Sequence, residues 1–489
     1  MAEKKLMDIK TLKPNIIIYF KFFLFLFLLL QIGCNGEKKS KITQEGAKTE
    51  AGTEKTQVKP SEKKIVITVN NGALEDDKLR LTEQNFINEL WEKKHPNSRI
   101  QNDTWQYSNE SFMVKIRGGA ATDLIGLFAC EGTTVIEKGY ALDITDLVQK
   151  WEMYPFINKE VIEPFSRNGR IYGLPGGAFG GGGYVMTLFY NNQMFRDKKI
   201  VDEKGNPKPP NTWEEFVEVA KKLTDREKGI AGFGILGEAG GGGWHFLNWV
   251  WQAGGDFEKK INEKWVATFD SPEAIKSLQF IKDLRWKHNV LQSDLLCNND
   301  DLFKLFTSER IAMALFTPEY LIYLVEKFHF PLENIGIVLL PAGQGGRANQ
   351  MGGAYGIINP NISPKKKQLT FDLLVFDYDL EVLEARAKFL KEQGRIFGWG
   401  VLPIFKEEHQ KKIDEIMDKY RTVPSQKELM AEALKYIHPE PPYFSQQLYR
   451  EALGPAVQEV LTNKDADPEK ILKNANKRFQ ERFLDKIQE

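Results

Sequence analysis

The chain has 489 residues, enough for two or three domains at roughly 100–200 residues each. Its 67 basic and 67 acidic side chains cancel, which removes the electrostatic case for nucleic-acid binding, where a basic excess is the rule. With 42% apolar and 27% charged residues the composition is that of a soluble globular protein. Three cysteines are too few for a disulfide framework.

The amino terminus bears on the compartment. Lys4, Lys5, Lys10 and Lys13 precede an apolar stretch from Ile16 to Ile32 that Lys21 interrupts. Its densest part, Phe22 to Leu30, has the length of a signal-peptide core and is short of the ~20 residues a spanning helix needs. Gly33 and Cys34 follow, and a small residue before cysteine at this place resembles a bacterial lipobox, with Gln31 where that motif prefers leucine. Residues 1–33 are therefore expected to be a lipoprotein signal peptide and Cys34 its lipidation site. An uncleaved anchor helix is the alternative. Residues 34–63 carry too few apolar side chains to offset the entropy of ordering, so they read as a flexible tether. A body held this way works at the cell envelope, lipid-anchored on the periplasmic or outer surface.

The folded part opens with the β-branched run Ile65-Val66-Ile67-Thr68-Val69, a buried strand. Phe86, Ile87, Leu90 and Trp91 recur at helical spacing until His95-Pro96 ends the helix. Phe112, Val114 and Ile116 mark a second helix, and Leu124 to Phe128 a second strand. Strand, helix, strand, helix predicts a mainly parallel sheet. Later helices are announced by caps at Thr212-Trp213-Glu214-Glu215, Ser271-Pro272-Glu273 and Asp467-Pro468-Glu469. There is no internal repeat.

A series of short motifs then runs in order: IYGLP from Ile171, LFYNNQMF from Leu188, PPNTWEEF from Pro209 and SPEAIKSLQFI from Ser271. ERIAMAL from Glu309, IGIVLLPAG from Ile335 and GGAYGI from Gly352 complete it. From Ile65 to the carboxyl end this resembles the extracellular solute-binding proteins of the family-1 type, the receptors of ABC importers for sugars and related solutes. The resemblance implies an α/β, two-lobed periplasmic-binding-protein (type II) fold, with a hinge of crossing strands and a ligand cleft between the lobes. One lobe would hold residues 64–182 and 357–402, the other residues 183–353 and 403–489. It also implies a monomer that acts without cofactor or metal and partners a permease and an ATPase on separate chains. Glycine suits the crossings because it absorbs large backbone changes.

A sugar presents apolar faces and a rim of hydroxyls, so its receptor needs flat aromatic surfaces and polar side chains. The aromatic candidates are Trp105, Trp244, Trp249, Tyr320, Tyr355, Trp399 and Tyr443, with Trp251 beside them. Trp244 follows Gly240 to Gly243 in what reads as a loop. Tyr320 stands where the family often has a cleft tryptophan, and Gly353 and Tyr355 lie at a crossing. For Trp265, Trp91, Trp213 and Trp286 core packing is the expectation. The polar candidates are Asn71 and Glu75, beyond the first strand where open α/β sheets place ligands, Asp123, for which turn capping is an equal alternative, and Asn191, for which capping a crossing strand is an equal alternative.

Other chemistry lacks its signature. Gly232 to Gly237 matches GxGxxG, yet Glu238, Ala239 and four more glycines follow where a dinucleotide site needs a helix. The chain has no GxxxxGK[ST] and no GxSxG, and its six histidines are scattered without metal-ligand spacing. Cys130 and Cys297 are expected to be buried free thiols. The reading is a non-enzymatic receptor for a mono- or oligosaccharide. The alternatives are the same fold binding a polyamine or phosphorylated polyol, a secreted glycosidase, and a surface adhesin.

Overall fold

The computed structural model describes residues 64–176 and 183–487. The expected signal peptide, Cys34, the tether and most of the glycine run after Pro175 lie outside the described residues. Strand β1 (Ile65–Val69) leads into helix α1 (Lys78–Lys94), which Asp77 caps and which closes at His95, before Pro96. Strand β2 (Ser98–Asn102), helix α2 (Asn109–Arg117) and strand β3 (Leu124–Phe128) follow, then β4 (Gly173–Pro175). The second half opens with β5 (Tyr184–Val185) and β6 (Thr187–Asn191), which join two different sheets. The chain continues through helices α3 (Trp213–Leu223), α4 (Ala239–Ala253) and α5 (Pro272–Trp286). Strands β7 (Met313–Phe316), β8 (Ile335–Leu339) and β9 (Asn349–Gly352) complete this part, and β10 (Ala354–Ile358) returns to the first sheet. Helices α6 (Leu380–Glu392), α7 (Glu407–Tyr420) and α8 (Lys427–Ala433), strand β11 (Ile437–Pro439) and helices α9 (Gly454–Thr462) and α10 (Pro468–Arg482) end the chain.

The first sheet has the order β2-β1-β3-β10-β4. Only β2, β1 and β3 are parallel, because they are joined by the helical crossovers α1 and α2. Strand β10 arrives directly from β9 in the other half and runs antiparallel to both neighbours. The second half is built on β7-β6-β8, all antiparallel, and on β11-β9-β5. The expectation of a mainly parallel sheet therefore holds for β2, β1 and β3 and for the pair β9-β11, and fails for the other pairings of these two halves.

Each half buries its own core. Phe112, Ile125 and Tyr355 pack in the first, as do Ile144, Leu174 and Leu383. Phe216, Phe233, Trp249 and Leu315 anchor the second, each contributing ~1.5–3 kcal/mol on full burial. Where β9 becomes β10, Gly353 has φ 148°, and a Cβ there would stand 2.7 Å from Gly183 Cα. Gly183 in turn has φ 107°, with its Cβ position 2.2 Å from the Gly352 carbonyl oxygen. Two connecting segments thus pass one another at backbone contact, which side chains would prevent. A third connection differs from expectation. Ile404, Phe405 and Ile413 pack with Leu174 and Ile358, so α7 belongs to the first half and not, as expected from Pro403 onward, to the second. The second half resumes at Val423 and Met430.

Gly240 to Gly243 also depart from the loop expected for them, forming the first turn of α4. Glycine is a poor helix former, but close packing overrides it. A Cβ on Gly243 would lie 2.3 Å from the Tyr449 carbonyl oxygen, and one on Gly454, 1.8 Å from that of Ala239. A helix does therefore open just after Gly237. Its amino terminus is taken by the chain's own carboxylate, since Glu238 accepts the Gly241 N–H at 3.1 Å.

Candidate functional site

The two halves meet around a cavity of about 380 Å³. From the first half it is lined by Cys130 and Thr133, just past the carboxyl end of β3, and by Glu163 and Arg167. From the second half come Trp251, Asp256, Glu258 and Trp265, and beyond them His438 and Glu440. Local sequence explains this convergence. Gly254, left-handed at φ 94°, ends α4 just after Trp251 and turns the chain so that Asp256 and Glu258 follow at the cavity. The prolines around Glu440, in His438-Pro439-Glu440-Pro441-Pro442, hold that segment extended beyond β11.

Glu440 is the hub of the second half's wall. Its Oε1 accepts from Trp244 Nε1 at 2.6 Å and from Gln350 Nε2 at 2.8 Å. Burial raises its carboxyl above the ordinary range. Glu258 accepts the Tyr443 N–H at 3.0 Å through Oε2, and burial again pushes its carboxyl well up. On the other side Glu131 accepts from Asn109 at 2.9 Å and is pushed up to about 7 by burial. The Cys130 thiol is driven upward first by burial and then by Glu440, so it stays protonated. Cys130 and Cys297 are buried free thiols.

Contacts run between the halves. The Tyr443 hydroxyl donates to Glu137, and Gln446 Nε2 lies 3.5 Å from Cys130 Sγ. Burial and then Glu137 raise the Tyr443 hydroxyl to about 12. Trp265 sits 4.8 Å from the Tyr443 ring, and His438 stacks on Trp251 at 5.2 Å. The arrangement lines the cavity with indoles and carboxylates.

The residues singled out in the sequence fall in different places. Tyr443 lies at the junction, and Trp244 reaches it through Glu440 from a helix. Trp249, 2% exposed, is core, packed against Trp213 and Phe280. Tyr355 is core as well, stacked on Phe165 at 4.8 Å with its hydroxyl donating to the Val161 carbonyl at 2.5 Å. Asp123 is spent on structure at the start of β3. It accepts from the Thr68 N–H at 2.8 Å and Lys366 Nζ at 2.7 Å, so turn bracing wins over ligand contact. Asn71 is left-handed, and its side chain accepts the Tyr107 N–H at 2.7 Å and donates to the Gly126 carbonyl at 3.2 Å.

Glu75 is exposed in the loop before α1. The Trp105 ring packs beside α2, with Nε1 2.8 Å from Ser111 Oγ. Tyr320 rests on Phe303 and Phe316. Gly353 serves the crossing, and Trp399 borders a separate cavity with Phe405 and Met430. Trp265, expected in the core, lines the cavity because its hairpin strand projects it toward Tyr443. Glu258 and Glu440 carried no motif. The proline-flanked Glu440 was the one available signal.

Residues 77–377 match the family of bacterial extracellular solute-binding proteins. Among solved structures, an ABC transporter solute-binding protein of Thermotoga lettingae bound with α-D-tagatose is 22% identical. The match has a TM-score of 0.67 and covers 86% of this chain and 99% of that one. An ABC substrate-binding protein of Listeria monocytogenes in complex with cycloalternan is 21% identical, with the same TM-score of 0.67 and the same coverage, 86% and 99%. These likenesses establish the two-lobed fold. An uncharacterised ABC transporter extracellular-binding protein of Pyrococcus horikoshii is 25% identical over 136 residues, which is 27% of this chain and 29% of that relative's length.

Proposed function

The chain belongs to the family of bacterial extracellular solute-binding proteins, and on that premise we propose that it captures a mono- or oligosaccharide between its halves. It hands the solute to the permease of an ABC importer whose ATPase is a separate chain. Its place is outside the cytoplasm, as the family's is, and we assign its attachment to a lipid on Cys34 followed by the tether of residues 34–63. No chemistry is performed on the guest.

The observation that carries this reading is the cavity of about 380 Å³ to which both halves contribute side chains. Its volume falls in the usual range for small-molecule sites, and the indoles of Trp251 and Trp265 border it. A guest touching both halves favours the closed state because it binds that state better than the open one. The tagatose and cycloalternan complexes of the structural relatives support a carbohydrate guest.

Thermal unfolding of the purified chain against a panel of sugars tests the proposal. A ligand that binds only the native state adds about 2.7 kcal/mol at a hundredfold excess over its Kd, so the right sugar raises the Tm by several degrees. A Tm that no sugar moves contradicts a carbohydrate guest.

A further inference from the structure

Among the described residues, the acidic groups lining the cavity outnumber the basic ones. Glu163, Asp256, Glu258 and Glu440 face it, against one guanidinium, that of Arg167. Arg167 is partly engaged, its Nη2 donating to Thr133 Oγ1 at 2.7 Å. His438 does not help, because burial lowers its affinity for a proton. Glu440 accepts from neutral donors, among them an indole and an amide, and from no cation among the described residues. Glu258 is 6% exposed and satisfied through Oε2 alone, by a backbone N–H, while its buried Oε1 has no partner among the described residues. Neither carboxylate forms an ion pair among the described residues.

A carboxylate removed from water costs several kcal/mol unless a proton or a cation offsets it. Sugar hydroxyls donate hydrogen bonds but leave the charge in place. An ammonium group brings three donors and the opposite charge together. Indole faces reinforce the same choice, since their negative quadrupole attracts cations. Trp251 and Trp265 border the cavity together with Asp256 and Glu258.

We propose that the solute carries a protonated amino group, seated by Glu258, Asp256 and Glu440 beside the indoles of Trp251 and Trp265. This rests on the capture reading above and narrows it from carbohydrate to amino sugar. A free amine is required: acetylation removes the charge and two of the three donors.

Calorimetric titration of the purified chain tests it with matched probes. These are D-glucosamine, N-acetyl-D-glucosamine and D-glucose, the β-1,4-linked disaccharide of each, and spermidine as an amine that is not a sugar. The free-amine sugar binds at least roughly tenfold tighter than its acetylated and neutral counterparts, and the margin shrinks as salt screens the charge. Glu258→Gln keeps an acceptor for the Tyr443 N–H and loses the preference. Its unliganded Tm reports whether it folds, and Asp256→Asn provides a second reading on an independent carboxylate. Equal or tighter binding of the neutral sugars overturns the amine and leaves sugar capture standing. Binding of spermidine with no saccharide supports the amine and overturns the sugar. Binding of none of the probes overturns both.

Discussion

Trp244 Nε1 lies 2.6 Å from Glu440 Oε1, tying the first turns of α4 to the proline-flanked segment beyond β11. Gln350 of β9 donates to the same oxygen at 2.8 Å. Glu440→Ala strands both donors and is expected to cost ~1–3 kcal/mol per unpaired group. Glu440→Gln keeps an acceptor and costs less. Urea unfolding of the two variants checks the order, and equal losses would mean that charge or volume matters rather than the shared acceptor.

Stability is expected to depend on pH through Glu131. Its carboxyl is raised from 4.5 to about 7 by burial, so the folded chain keeps a proton that the unfolded chain gives up. The contribution is fully present below pH 4.5 and is lost as pH rises through about 7. The loss is ~3 kcal/mol, since each pH unit separating the folded and unfolded values is worth about 1.36 kcal/mol. Urea denaturation between mildly acidic and mildly alkaline pH should show the decline, and Glu131→Gln should flatten it. An unchanged slope in that variant would assign the dependence to another group.

The crossing at Gly353 is expected to reject a side chain. Its φ of 148° is unfavourable for any L-residue, and a Cβ would stand 2.7 Å from Gly183 Cα. Gly353→Ala should cost ~1–3 kcal/mol in backbone strain alone, with further loss from the contact. A thermal scan reads the loss. Small-angle scattering should show the halves held further apart, and a variant with wild-type Tm and profile would remove the close crossing from the account.

Tyr443 reaches across the junction to Glu137. Tyr443→Phe keeps the ring beside Trp265 and deletes the hydroxyl, so the fold is expected to stay intact while bound solute leaves several-fold faster, as for ~1 kcal/mol of a lost hydrogen bond. Stopped-flow displacement followed by tryptophan fluorescence measures the off-rate. An unchanged rate would show that this contact does not hold the closed state.

What could be read from the sequence was local. The β-branched run at β1, the stop of α1 at His95-Pro96 and the caps Ser271 and Asp467 act within a few residues, and each is found in place. Thr212 caps α3 as expected, and the carboxylate of Glu215 accepts the Asn211 N–H at 2.7 Å. The antiparallel β7-β6-β8 sheet escaped because pairing between residues more than a hundred positions apart leaves no local pattern. The helix at Gly240–Gly243 escaped because its reason, contact with Tyr449 and Gly454, is equally distant in sequence.

The site followed the same division. Aromatic residues could be gathered as an inventory, yet Trp249 and Trp265 exchanged expected roles, since nothing local separates a core indole from one at a cavity. Glu258 and Glu440 give no local sign of burial, since charged residues are seldom buried and only the folded chain encloses them.

The most direct measurement is a crystal structure of the chain bound to the sugar that stabilises it. The expected result is a saccharide in contact with Trp251 and Trp265 on one side and with residues near Thr133 or Arg167 on the other. A sugar seated on one half alone, with that cavity left unoccupied, would contradict it.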